Sequence, residues 1–384
     1  LTHRARVLQL AATPGGGLAT HVVTLAQGLS RDKYDVRVLC PDAGELRRRL
    51  AELDIAADVL PFSPGLDLLG DLRLWSRLVA YVRKHGFDIV HTHSTKAGVW
   101  GRLAGRWCGV PILVHTANAY RFLRYARWSP RWAAYVAVEW VLGHAGSYVL
   151  AAGPSEAALT RDLRLAPRAR QFVANNGVPP VRSASRDPTV RRRLGLRDGV
   201  PLVLTVGRLV AQKAPLTFVD AAALVAAERP DAAFVMVGDG ELESAVRARA
   251  RAHGIHERLV LISHLDDLGP LLLEADVFVM TSRYEGLSYA AAEAGARGRP
   301  MVLSDVAGLR DLIPDERTGC LVPAGDAALF ASRIIELLAD PARRAALGRE
   351  AARRVATTFN AAGMIAATER VYDGLLERRV HAPR

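Results

Sequence analysis

The chain has 384 residues, half of them hydrophobic and 23% charged, with a formal net charge of +12. That length is too great for one ordinary core and predicts two domains; the composition excludes a disordered chain, and no apolar run is long enough to span a bilayer. Cys40, Cys108 and Cys320 are odd in number and widely spaced. They exclude a disulfide framework and show no metal-ligand spacing, so buried thiols in a reducing, cytoplasmic compartment are expected.

Residues 1–6 lead straight into an apolar stretch, so no signal peptide is expected there, although the sequence opens without Met. The first expected strand, 7–12, runs into Pro14-Gly15-Gly16-Gly17-Leu18-Ala19-Thr20-His21 and a helix at 20–29. Glycines at that place let backbone N–H groups approach a phosphate, and a helix N-terminus favours the anion. The loop is a poor dinucleotide fingerprint, because Thr20 stands where Gly or Ala belongs. A glycine turn without a ligand is the alternative. Further strands are expected at 36–39, 88–91, 112–116, 148–151 and 171–174, with helices between them such as 72–84. This is the rhythm of a parallel sheet with crossover helices.

Residues 1–178 hold 23 Lys+Arg against 13 Asp+Glu, whereas 179–384 hold 28 against 26. A basic first half points to an anionic partner: phosphate, nucleic acid or a lipid surface. Within it, Tyr120, Phe122, Tyr125, Trp128 and Trp132 alternate with Arg121, Arg124, Arg127 and Arg131. That mixture suits a headgroup boundary, and predicts peripheral contact with an anionic membrane unless the aromatics pack inward.

Asn175-Asn176-Gly177-Val178-Pro179-Pro180 reads as a linker, followed by polar residues to 187. The strand rhythm then restarts at 201–206, 233–237, 259–262, 277–280, 301–303 and 320–322, and helices are expected at 327–338, 341–359 and 361–379. The expectation is an α/β chain of two doubly wound, Rossmann-like domains, 1–178 and 179–360. Ligands of such sheets sit at the carboxyl ends of strands, so a cleft between the domains is the default site.

Three motifs follow strands of the second half. Gly207-Arg208-Leu209-Val210-Ala211-Gln212-Lys213 places two cations after one strand, able to neutralise a diphosphate. Gly238-Asp239-Gly240-Glu241 reads as a tight turn and helix cap, mainly structural. In Tyr284-Glu285-Gly286-Leu287-Ser288-Tyr289, residues 286–288 are expected to open a helix whose free N–H groups bind phosphate. Glu285 lies beside that turn and Glu293 further along the helix, and carboxylates accept hydrogen bonds from vicinal hydroxyls.

The order glycine loop, Arg…Lys, Gly-Asp-Gly and Glu-x7-Glu closely resembles family 4 of the retaining glycosyltransferases, with the GT-B fold. The resemblance covers nearly the whole chain, most specifically residues 206–215, 237–243 and 268–304. His91-Thr92-His93-Ser94-Thr95-Lys96-Ala97-Gly98 and Glu285-Gly286-Leu287-Ser288 resemble bacterial polysaccharide-assembly members. The resemblance implies that Gly16 and Gly17 approach the donor phosphates and sugar, and that Arg208 and Lys213 hold the diphosphate. Glu285 would bind sugar hydroxyls, Gly286, Leu287 and Ser288 the distal phosphate, and Glu293 the ribose. The base would lie near His264 and Leu265. It also implies that the segment 361–384 packs back on the first domain.

Many relatives carry a histidine three residues after the position of His115, and here that residue is Asn118. An asparagine keeps a donor and an acceptor for a sugar hydroxyl but cannot titrate. His115 itself falls on a strand, where packing is its expected role.

The implied reaction is transfer with retention from a nucleotide diphosphate sugar to a hydroxyl acceptor, which in such members is often lipid-linked. Arg208, Lys213 and Glu285 are the expected catalytic residues. Charge building on the leaving diphosphate needs electrostatic stabilisation, each donor contributing about 3–4 kcal/mol. No Asp-x-Asp pair occurs, so neither metal nor cofactor is expected, nor is a nucleic-acid partner. Competing readings are an NAD-dependent dehydrogenase, a sugar-nucleotide epimerase or phosphorylase of the same fold, and a non-catalytic nucleotide-sugar-binding protein. The expected location is the cytoplasm, at the inner face of the cell membrane.

Overall fold

Residues 4–13, 15–41, 44–62, 67–181, 187 and 189–380 are described by a computed structural model. Pro14 of the glycine loop, 182–186 of the polar linker and the last four positions lie outside them. The chain divides into two compact units, Leu1–Pro179 with Ala361–Arg384, and Pro180–Asn360.

In the first unit, seven parallel strands form one sheet: β1 (Ala5–Ala11), β2 (Tyr34–Cys40), β3 (Ala57–Val59), β4 (Ile89–His93), β5 (Ile112–Thr116), β6 (Tyr148–Ala151) and β7 (Gln171–Val173). Their order is β3-β2-β1-β4-β5-β6-β7, so the direction of winding reverses between β1 and β4. The crossover helices are α1 (Gly17–Gly28), α2 (Glu45–Glu52), α3 (Leu68–His85), α4 (Thr95–Trp107), α5 (Pro130–His144) and α6 (Pro154–Asp162). Both faces of the sheet are covered, which is why its strands read as near-continuous apolar runs. Leu8, Leu10, Val90 and Leu113 face α3 and α4. Val7, Ile89, Ile112 and Val114 pack with Tyr372, Leu375 and Leu376 of the helix Ala361–Val380. That helix is tied down further by Lys33, whose Nζ lies 2.8 Å from Asp373, and by the Tyr34 hydroxyl on the same carboxylate.

Local signals set the helix ends. Asp67 caps α3 by accepting from the Gly70 N–H at 3.0 Å, and Gly86 closes it in the left-handed region at φ 59°. Ser129 caps α5, with Pro130 in its first turn.

In the second unit, six parallel strands follow the order β10-β9-β8-β11-β12-β13. They are β8 (Leu202–Val206), β9 (Ala233–Val237), β10 (Leu259–Ile262), β11 (Val277–Met280), β12 (Met301–Ser304) and β13 (Cys320–Val322). Winding reverses between β8 and β11, the switch point where such sheets leave a crevice. Val203, Phe234, Val277, Val279 and Val302 form the core with Phe218, Val225, Phe330 and Leu337 from the helices.

The strands fall where the apolar runs predict them, with ends moved by a residue or two. The exception is β3, a three-residue edge strand on Ala57-Asp58-Val59 that no apolar run announces. Cys40 and Cys320 are buried and Cys108 is half-buried, and none of the three is in a disulfide among the described residues.

Candidate functional site

The switch point of the second unit gathers the charged motif residues. After β8, the Gly207–Leu209 loop is clamped from beneath by the Gly238-Asp239-Gly240 turn. Leu209 N–H donates to Asp239 O at 2.6 Å, and Leu242 N–H donates to Leu209 O at 2.9 Å. A Cβ on Gly238 would lie 2.1 Å from Gly207 O, and one on Gly240 2.5 Å from Leu209 O. Both glycines have φ above 140°, which favours glycine independently. The expectation of a helix cap here is corrected: the helix Glu243–Ala252 has Leu242 at its N-cap and no side-chain cap. The turn's job is to let two backbones touch.

The loops after β8 and β11 are stitched together. Gln212 Nε2 donates to Tyr284 O at 3.2 Å, Arg283 N–H to Gln212 O at 2.8 Å, and Thr281 Oγ1 to Ala214 O at 3.0 Å. This brings Lys213 onto Glu285 as a hydrogen-bonded ion pair, and Ser282 Oγ donates to the same carboxylate oxygen at 2.8 Å. Glu285 is buried, with only 7% of its side chain exposed, and Lys213 is 20% exposed. Arg208 is exposed and makes no ion pair among the described residues. The sequence reading left both cations for a diphosphate; in the structure Lys213 already compensates Glu285, and Arg208 is the uncommitted charge.

Residues 286–288 were expected to be the first turn of a helix, and this is corrected. The helix is Tyr289–Ala296, and Ser288 is its N-cap in extended conformation, its Oγ accepting from Ala291 N–H. Gly286, Leu287 and Ser288 form the approach to it, with backbone N–H groups that have no partner among the described residues. Gly308 passes so close that a Cβ there would lie 2.1 Å from Gly286 O. Glu293 is half-buried in the second turn of that helix. His264 and Leu265 follow β10, which β9 separates from β8, and His264 is exposed, 3.4 Å from Asp266.

At the switch point of the first unit the buried histidines are neutral, and the glycine loop already holds a carboxylate of the same unit. Gly16 is the N-cap of α1 at φ 72°, and its N–H donates to Glu45 Oε2 at 3.0 Å. Arg49 Nη1 holds the other Glu45 oxygen at 3.0 Å. The anion at this helix N-terminus is therefore the protein's own carboxylate, which the sequence reading missed because α2 carries no motif.

Asn118 follows β5 in the left-handed region at φ 50°. Its side chain turns inward: Asn176 Nδ2 donates to Asn118 Oδ1 at 3.3 Å, and Asn118 Nδ2 is buried without a partner among the described residues. A buried hydrogen-bond chain runs through His91 and His93 of the His91–Gly98 motif, joining them to partners far away in the sequence. Because Gln9 Oε1 can only accept, His93 Nε2 donates to it at 2.5 Å. Gln9 Nε2 then donates to the Tyr372 hydroxyl at 3.1 Å, which donates to His91 Nδ1 at 2.7 Å. His91 Nε2 donates to Thr116 Oγ1 at 2.9 Å, and that hydroxyl to Leu150 O at 2.8 Å. This direction requires a neutral His91, whose Nδ1 accepts while its Nε2 donates. Burial keeps it so, holding His91 and His93 well below the ordinary value and His21, edge-on to His93 at 5.0 Å, at about 4. His115 is likewise buried and held neutral, with Nδ1 2.9 Å from Thr92 Oγ1.

The comparisons agree with this class of machine. The description "Glycosyl transferase 4-like domain" matches residues 16–177, and "Glycosyl transferases group 1" matches residues 200–340. The chain is 31% identical to D-inositol 3-phosphate glycosyltransferase of Xylanimonas cellulosilytica, covering 94% of each chain. It is 29% identical to the Escherichia coli UDP-Gal:alpha-D-GlcNAc-diphosphoundecaprenol alpha-1,3-galactosyltransferase, over 81% of this chain and 82% of that one. Among solved structures, Anabaena HepE in complex with UDP and glucose superimposes with a TM-score of 0.83 at 20% identity, over 96% of this chain and 99% of that one. Two parallel-sheet units of this kind define a GT-B glycosyltransferase. The chain belongs to family 4 of the glycosyltransferases.

Proposed function

We propose that the enzyme is a retaining, metal-independent hexosyltransferase that uses a UDP-sugar and acts on a lipid-linked hydroxyl acceptor in polysaccharide or glycolipid synthesis. The observation that carries the reading is the Arg208, Lys213 and Glu285 group at the carboxyl ends of β8 and β11. Two relatives add support: one is named for a UDP-Gal donor and a diphosphoundecaprenol acceptor, and one was solved with UDP and glucose.

In this reading Arg208 and Lys213 bind the diphosphate, and the N–H groups of Gly286, Leu287 and Ser288 bind its distal phosphate. Glu293 takes the ribose, and His264 and Leu265 flank the base. As the bond from the anomeric carbon to the phosphate oxygen breaks, charge builds on the leaving group, where these fixed donors act. The acceptor oxygen bonds to the anomeric carbon on the same face, and its proton passes to the leaving phosphate. When phosphate claims Lys213, Glu285 is released to accept hydrogen bonds from hydroxyls of the sugar. In the first unit, Gly16, Gly17 and Asn118 are proposed contacts of the transferred sugar, Asn118 through Nδ2, the atom its pairing with Asn176 leaves open.

The test is a screen of UDP-, GDP- and ADP-sugars for thermal stabilisation, followed by transfer in excess EDTA. A UDP-sugar gives the largest shift, transfer survives EDTA, and the product keeps the donor's anomeric configuration by NMR coupling. Rescue by manganese after loss in EDTA, or an inverted product, contradicts the reading.

A further inference from the structure

The segment 120–132, chosen from sequence as a membrane-facing stretch, packs mainly inward. Tyr120, Phe122 and Trp132 are buried, and Tyr125 stacks on Tyr135. Trp128 alone of its aromatics stands out, at 74% exposed, and most of the exposed apolar surface lies elsewhere. Of eleven large apolar side chains exposed among the described residues, seven lie on α3, α4 and α5. Leu69 and Leu72 stand on α3, Leu103 and Trp107 on α4, and Trp140 and Val141 on α5, with Trp107 67% exposed and Leu69 71%. The three helices adjoin. The Trp75 ring of α3 lies edge-on to Trp107 at 6.4 Å, and Arg106 at the end of α4 donates to Ala145 O just beyond α5.

The charge on these helices has one sign outward. Their only carboxylates are Asp71 and Glu139, both buried and both paired, with Lys96 at 2.7 Å and Arg102 at 2.7 Å. Arg73, Arg77, Arg83, Lys84, Arg106 and Arg131 are exposed, and none forms an ion pair among the described residues. Exposed Trp and Leu among unopposed arginines complement a surface that is anionic at its headgroups and apolar beneath. A soluble acidic protein would answer the charge but has no need of so many exposed Trp and Leu side chains.

We propose that the outer surface of α3, α4 and α5 docks on an anionic lipid bilayer. The proposal rests on the reading of the acceptor as lipid-linked for its purpose. Its residues are separate from those proposed to bind the donor, so the two can fail independently. Trp107 and Trp140 would enter the headgroup boundary while the arginines meet lipid phosphates.

The experiment is co-sedimentation of the full chain with vesicles of phosphatidylcholine alone, or with a third of phosphatidylglycerol, at low and high salt. The variants are Trp107→Ser with Trp140→Ser, and Arg73→Glu with Arg77→Glu, all at exposed positions. Wild type should sediment with the anionic vesicles alone, less at high salt, and each variant should lose at least fivefold of the bound fraction. UDP affinity by calorimetry should stay within twofold in both variants. Equal binding to both vesicles, no binding, or undiminished binding by the variants overturns the proposal. So does a dimer of wild type in sedimentation velocity that Trp107→Ser dissolves, since the surface would then belong to a second copy. Loss of UDP affinity in wild type and variants alike would sink the donor site without touching this surface.

Discussion

The two switch points differ in kind. At the ends of β8 and β11, charged side chains sit on loops: Arg208 exposed, Lys213 on Glu285, and a row of open N–H groups at 286–288. At the ends of β1, β4 and β5, the polar side chains are neutral, buried and bonded to one another, from His93 through Gln9 and Tyr372 to His91 and Thr116. The first arrangement offers a ligand anion the exposed Arg208 guanidinium and the N–H groups of 286–288, none of which has to leave a partner among the described residues. The second cannot take up charge at His91 without breaking its bond to the Tyr372 hydroxyl, and burial opposes charge on all its imidazoles. The difference suggests a division of labour, with diphosphate on the second unit and orientation of uncharged hydroxyls on the first.

Three perturbations sharpen that comparison, the largest first. Arg102 on α4 is 1% exposed and holds Glu139 at 2.7 Å while its Nε donates to Gly98 O. Arg102→Ala strands a buried carboxylate and should destabilise the protein by about 3–5 kcal/mol, whereas Arg102→Leu with Glu139→Leu should come within about 1 kcal/mol of wild type or exceed it. Calorimetric melting reads both; equal losses in the single and double variants would mean the pair is not the cause. Next, Arg208→Ala, Lys213→Ala and Glu285→Ala should each slow transfer at least tenfold, toward the roughly 10²–10³ typical of a lost transition-state donor. Circular dichroism should be unchanged. Unaltered rates in all three would remove the assignment.

The third is pH. The folded His21 titrates near 4 against 6.5 for the free side chain, and burial moves His91, His93 and His115 the same way. The unfolded chain therefore takes up protons that the fold refuses. Stability from this source is full above about pH 6.5, and is lost as pH falls toward 4, where His21 itself becomes charged. The melting temperature should fall by several degrees across that window, and less in a His21→Phe variant. A flat profile would contradict neutral imidazoles.

How much of this was legible in the sequence follows from where the chemistry sits. Parallel strands buried on both faces announce themselves as apolar runs, so β8, β9 and β11 are found almost to the residue, while Ala57-Asp58-Val59 of β3 has no such signal. Arg208, Lys213 and Glu285 are legible because they lie on loops after strands, where a charged residue has few structural excuses. The helix start at Tyr289 was missed by three residues, because Ser288 caps rather than joins the helix. Glu45 on the glycine loop and Tyr372 in the histidine chain were missed outright. Each reaches its partner across a long stretch of sequence, and no local pattern encodes that meeting.

The central claim is that the nucleotide diphosphate is bound by the second unit's charged loops and not by the neutral interior of the first. It is tested most directly by the UDP dissociation constant, measured by calorimetry for wild type, Arg208→Ala and Asn118→Ala. The account predicts at least a tenfold loss of affinity for Arg208→Ala and a value within twofold of wild type for Asn118→Ala. The reverse pattern, with Arg208→Ala binding UDP normally and Asn118→Ala failing to bind it, would contradict it.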